Sequence, residues 1–220
     1  MHRMPTSPAS RVAEHPATTW WRVGSRIGLR GVFAAWAVAF VVICAYLLAP
    51  HLLTLPVPEA GDAELQRSVA HRLPGQHSRW LVLHVLDEDC PCSLRVLDHL
   101  LAAPRPAGVA ERVVLIAGAG DPARTAAIRA RGLDLDVVSP EQLGDRYHLQ
   151  AAPLLVVIDP ADMVRYVGGY TPRKQSDDIR DQAIIAAVTR GERVTPLPTF
   201  GCAVGAALRT TLDPLHLRWN

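Results

Sequence analysis

The sequence predicts an α/β fold, a central mixed sheet flanked by helices, preceded by one N-terminal transmembrane helix. Three observations predict it. Apolar runs of strand length alternate with helical patterns between residues 62 and 191. The last two strand patterns, "PLLVVID" and "MVRYVGGY", are separated by a short turn, so the sheet closes with an antiparallel hairpin. Ahead of them, "GVFAAWAVAFVVICAYLLAP" at 31–50 contains no charged residue.

That apolar run organises the N-terminus. At ~1.5 Å per residue it spans a ~30 Å hydrocarbon core. Residues 1–30 carry five arginines against Glu14, a net of +4. The whole chain is +2, so residues 51–220 carry −2, which argues against a nucleic-acid footprint. The arginines precede the run and Glu59, Asp62 and Glu64 follow it, which places the N-terminus in the cytoplasm and the body beyond the membrane. The leader is long for a signal peptide and no clear small-x-small site follows, so the expectation is an uncleaved signal anchor. The expected organisation is a basic leader over 1–30, the anchor over 31–50 and a linker over 51–59. A globular domain over 60–191 and a C-terminal tail with a short helix over 192–220 complete it.

Within the domain, "DAELQRSVAHRL" reads as an amphipathic helix through Leu65, Val69 and Leu73. "RWLVLHVL" is a continuous apolar run, the mark of a buried strand. "SLRVLDHLLAA" is a helix with Leu94, Val96, Leu97 and Leu100 on its apolar side. "RVVLIAG" repeats the strand, and "DPARTAAIRARG" a helix with Asp121 as cap, Pro122 first and Gly132 at its end. "LDLDVVS" is a short strand and Ser139-Pro140 opens the next helix. After the hairpin, "SDDIRDQAIIAAVTRG" forms the last helix, with Ser176 as its cap.

Four cysteines are present: Cys44 inside the apolar run, Cys90, Cys92 and Cys202. In an oxidising compartment free thiols seldom stay idle. Cys90-Pro91-Cys92 lies where a strand meets a helix. Unpaired N–H groups and the helix dipole favour a thiolate there, and Pro91 suits the first helical position. Cys90 is expected as the exposed cap thiol and Cys92 in the first turn. The two are close enough to bridge, through a small and strained ring. Asp87, Glu88 and Asp89 oppose the thiolate and attract cations, and paired thiolates suit Cu(I) or zinc.

With these motifs the chain resembles thioredoxin-fold proteins, most of all the membrane-anchored thioredoxin-like oxidoreductases of the TlpA, ResA and AhpC/TSA kind. The resemblance runs over about residues 60 to 190, through "WLVLHVL", the cysteine-headed helix, "RYHLQAAPLLVVIDP" and "MVRYVGGY". It implies a cis proline at Pro153, with Ala152 offering backbone groups to an extended substrate. It also implies a bacterial inner-membrane protein with its domain in the periplasm. The chain departs from the pattern in having Cys-x-Cys for Cys-x-x-Cys. The family's buried acid, six residues before the first cysteine, is His84 here, a candidate base with a pKa near neutrality.

The resulting expectation is a thiol–disulfide oxidoreductase in which Cys90 attacks a substrate disulfide, Cys92 resolves it and His84 moves the proton. It needs no cofactor, and its partners are protein thiols or disulfides and a redox-recycling partner. Two other classes stay open. One is a Cu(I) chaperone or sensor, loosely similar to Sco-type proteins, with Cys90, Cys92 and His148 as ligands. The other is a redox-sensing membrane protein without turnover. Cys202 resolves a mixed disulfide with Cys90, completes a three-thiolate metal site, or is simply buried within "FGCAVGAAL".

Overall fold

A computed structural model describes residues 19–52, 54–69, 78–117 and 120–213, in two compact units divided after Leu52. The first unit is helix α1 (Thr19–Leu52). Its stretch Gly28–Leu48 is long and apolar enough to cross a membrane, with Val32, Phe33, Trp36 and Phe40 exposed along it. The first eighteen residues of the expected leader lie outside the described residues, as do the last four of the helix expected over 62–73.

The second unit begins with a short helix, α2 (Ala63–Val69), which the Asp62 carboxylate caps by accepting from the Leu65 N–H at 2.9 Å. Strand β1 (Trp80–Asp87), helix α3 (Pro91–Ala102) and strand β2 (Val109–Ile116) form a parallel βαβ unit. Helix α4 (Pro122–Ala130) and strand β3 (Asp134–Val138) extend the sheet at one edge, also in parallel. Helix α5 (Pro140–Tyr147) leads to β4 (Ala151–Ala152) and then β5 (Leu154–Ile158), which pairs antiparallel to β1. Strand β6 (Val164–Gly168) pairs antiparallel to β5 and helix α6 (Asp181–Thr189) follows. The sheet order is β3-β2-β1-β5-β6, which puts β1 at its centre.

The caps follow the local chemistry. The Asp121 carboxylate accepts from the Ala123 N–H, and Ser139 and Gln142 close a reciprocal capping box. Alternation along β1 divides the core. Leu81, Leu83 and Val85 face one side, with α2 and α5, while Val82 and Leu86 face the other, with α3 and α6.

Two expectations fail. The last helix begins at Asp181, five residues after Ser176, because Asp181 is drawn inward to Arg105 (2.9 Å) and His99 (3.0 Å). The domain also does not end at 191. Past α6 the chain runs back over the fold, and Leu55 of the expected linker pairs with Thr199. The strand β7 (Cys202–Ala203) pairs antiparallel with β4, and helix α7 (Ala206–Leu212) buries Leu208. A Cβ at Gly169 would overlap the Pro198 carbonyl oxygen, so this close approach of tail and β6 end needs glycine. The tail is part of the domain.

Candidate active site

The centre of the sheet ends at the site. β1 delivers Asp87, a tight turn places Cys90 as the N-cap of α3, and Pro91 occupies the first helical position. The Cys90 N–H donates to the Asp87 carbonyl at 3.1 Å, and its own carbonyl accepts from Leu94 at 3.0 Å, starting the helix. The peptide bond between Ala152 and Pro153 is cis, as the resemblance implies.

The position of Cys90 differs from expectation. It is buried, with 0% exposure, while Cys92 and Cys202 are partly exposed. The cause is the tail. Strand β7 sets Cys202 opposite Ala152, and the Cys202 Sγ lies 2.8 Å from the Cys90 Sγ, donating to it. All three of these cysteines are free thiols or thiolates.

Their arrangement favours negative charge on Cys90. The Cys202 thiol, donating at 2.8 Å, is the largest influence on Cys90, and the neighbouring Cys92 thiol and the N–H groups of Ser93 and Cys92 act in the same direction. Together they outweigh burial and hold Cys90 far below the ordinary thiol value of 9.0. The other two thiols are pushed the other way: interaction with the Cys90 sulfur holds the proton on each, and burial adds to the effect. Of the three acids that precede Cys90, Asp87 is the buried one, and burial chiefly raises its pKa, with the Cys90 charge adding to that. Glu88 turns aside to Arg124 (3.9 Å), and Asp89 is exposed.

His84 does not sit where a base is needed. Its Nδ1 meets the Tyr170 hydroxyl at 2.9 Å and its Nε2 meets Glu111 at 3.0 Å, so neither nitrogen is left for a cysteine proton. It belongs instead to a buried chain that runs through Glu111 and Arg105 to Asp181 and His99. Burial would raise the Glu111 pKa, but hydrogen bonds from His84 and Arg105 hold it below 4.5. The chain's outlet toward the site is Tyr170, which lines a cleft with Cys92, Pro153 and Phe200. That cavity is only ≈ 30 Å³, too small for an organic substrate.

His148 is also misplaced for the ligand role. It caps the C-terminus of α5 in the left-handed region (φ 53°), with Nδ1 3.8 Å from Glu64. Among the described residues, no three His, Cys, Asp or Glu side chains gather as metal ligands. The set Cys90, Cys92 and His148 is therefore not assembled.

The topology now decides the fold. A parallel βαβ unit, then an antiparallel ββα unit joined through β1 and β5, with a cysteine heading the first helix and a cis proline before β5, is the thioredoxin arrangement. The fold is thioredoxin-like. Similar solved structures include an uncharacterised conserved protein from Geobacillus kaustophilus (16% identity, TM-score 0.48, covering 58% of this chain and 77% of that one). The thioredoxin domain of a thiol-disulfide oxidoreductase from Bacteroides vulgatus gives 12%, 0.37, and 54% and 83%. A secreted Mycobacterium tuberculosis disulfide oxidoreductase gives 13%, 0.36, and 51% and 82%. No family model and no curated protein matches the chain.

Sequence reasoning names Cys202 among the candidate partners of Cys90 but misses the β4–β7 pairing that brings it there. Its one local signal was Gly201 ahead of Cys202. A Cβ at Gly201 would overlap the Ala152 carbonyl oxygen and crowd Pro153, so glycine alone lets the tail lie against this edge.

Proposed function

We propose that this protein is a membrane-tethered thiol–disulfide oxidoreductase with its domain in the bacterial periplasm, acting on disulfides of other proteins. The observation that carries the reading is the placement of Cys90 at the head of α3, with Cys92 in the first turn and the Cys202 sulfur 2.8 Å away. Cys90 attacks a substrate disulfide, and Cys92 attacks the resulting mixed disulfide, releasing the substrate's second thiol. The substrate loses one S–S bond and gains two thiols, while the protein gains the Cys90–Cys92 bond. A recycling thiol partner reverses the change. Leaving-group thiols take up the protons, so His84 is not required as a base.

The size of the cleft favours a macromolecular substrate that approaches along the edge at Ala152 and Pro153. The arginine-rich leader and the apolar stretch Gly28–Leu48 support tethering and orientation.

The test is turnover by the full chain in detergent micelles, with a disulfide-bonded protein as substrate and a dithiol as reductant. The expected result is acceleration over the dithiol alone, lost in Cys90→Ser. No acceleration by the wild-type chain, in either direction of exchange, contradicts the reading.

A further inference from the structure

The tail stands where a partner's extended chain is expected. β7 takes the β4 edge immediately before Pro153, with Cys202 in register with Ala152 and Ala203 with Ala151. The N–H groups of Val204 and Gly205 both donate to the Gln150 carbonyl, at 2.7 and 3.0 Å. Gly201 lies flat on the Ala152–Pro153 backbone. Thr199, Ala203 and Val204 are each 1% exposed, so the segment is packed in place. It brings a cysteine to the nucleophile, with the two sulfurs 2.8 Å apart. A disulfide needs ~2.05 Å between sulfurs, so less than ~1 Å of movement remains.

We infer that Cys202 is a third redox thiol, a built-in partner that draws the disulfide from Cys90–Cys92 and latches the tail over the site. This rests on the oxidoreductase reading, which supplies the Cys90–Cys92 bond. The Cys202 sulfur, losing its proton, attacks the Cys90 sulfur. The Cys90–Cys202 bond forms, the Cys90–Cys92 bond breaks, and its electron pair goes to the Cys92 sulfur, which takes up a proton. The step is an exchange with no net oxidation. Its direction follows from geometry: a bridge between residues two apart closes a small strained ring, whereas the paired strand β7 already holds the Cys202 sulfur 2.8 Å from Cys90.

The latch has a consequence for access. In the reduced protein β7 is held to β4 by two residue pairs, and an outside disulfide reaches the buried Cys90 when that short pairing opens. In the oxidised protein the Cys90–Cys202 bond locks the strand down and closes the edge. The device protects the oxidised centre from unselective thiols, since a recycling partner has to dislodge the strand.

The experiment is a titration of the full chain in detergent micelles against glutathione and its disulfide. Non-reducing digestion and mass analysis then identify which cysteines are joined. Oxidised wild type and Cys92→Ser should both yield the peptide pair linked through Cys90 and Cys202. Cys202→Ser should yield the Cys90–Cys92 bond, with a midpoint shifted at least tenfold toward easier reduction. Gly201→Ala keeps every thiol but displaces the strand, and should shift the midpoint in the same direction. Circular dichroism of each variant controls for folding. A Cys90–Cys92 bond as the sole product in wild type, or an unchanged midpoint in Cys202→Ser, overturns the latch and leaves the oxidoreductase standing. If Cys90 stays a thiol in every variant, both readings fall.

Discussion

Cys90 has two thiol neighbours that come from opposite ends of the folding problem. Cys92 is two residues away, in the first turn of α3, and its place follows from strand, turn, cap and Pro91. Cys202 is 112 residues away and arrives only because a tail folds back, threads past Gly169 and lays Gly201 on the Ala152 carbonyl. The first neighbour is written in local propensity. The second exists only through tertiary packing, yet it is the larger of the two influences that hold Cys90 ionised. A redox motif read in isolation therefore omits the neighbour that the tail supplies.

Replacing the shared atom removes both arms at once. Cys90→Ser should abolish catalysed exchange, leaving the dithiol background rate in the turnover assay. Retained turnover would move the nucleophile elsewhere.

The buried ion network comes next. Arg105 lies between Glu111 (2.6 Å) and Asp181 (2.9 Å) in the layer below Tyr170. Arg105→Met leaves two buried carboxylates without their cation, and the expected loss is ~3–5 kcal/mol in denaturant unfolding. A loss within experimental error would mean that water reaches this layer.

Gly201→Ala separates the arms, since it touches the tail and leaves α3 alone. Overpacking against the Ala152–Pro153 backbone should cost ~1–3 kcal/mol. It should also expose Cys90, raising its rate of alkylation while Cys92 is little changed. Equal protection of Cys90 in the variant would show that the tail does not shield it.

The smallest effect concerns pH. Glu111 has a folded pKa below its ordinary 4.5, so its contribution is fully present above that value and is lost as pH falls through the folded pKa. Stability of the wild type should therefore decline in acid more steeply than that of Glu111→Gln, as read by thermal unfolding across a pH series. Parallel profiles would remove Glu111 from the acid response.

The contrast between the arms also explains what was legible in the sequence. The strands, the caps at Asp121 and Ser139, and the cysteine at the head of α3 depend on neighbours within a few residues. So does the proline before β5, where sequence and structure agree. The start of α6 was misjudged because Ser176 looks like a cap, whereas the pull of Arg105 on Asp181 is a contact between elements far apart in sequence. His84 was misassigned for the same reason, since Glu111 and Tyr170 claim its ring from β2 and from beyond β6. Cys90 is buried rather than exposed, and nothing near it in sequence announces the strand that covers it. Proline-rich and outside the alternating pattern, residues 192–205 carry no periodicity, and only their glycines mark the close approaches.

The contacts around Cys90 lead us to expect its sulfur to be the ionised one of the three at neutral pH. The most direct measurement is the thiolate ultraviolet absorbance across a pH titration of the reduced full chain, with Cys90→Ser subtracted. The account predicts a titration far below the ordinary thiol value of 9.0, moved upward in Cys202→Ser and less so in Cys92→Ser. A Cys90 titration near 9.0, unmoved by either substitution, would contradict it.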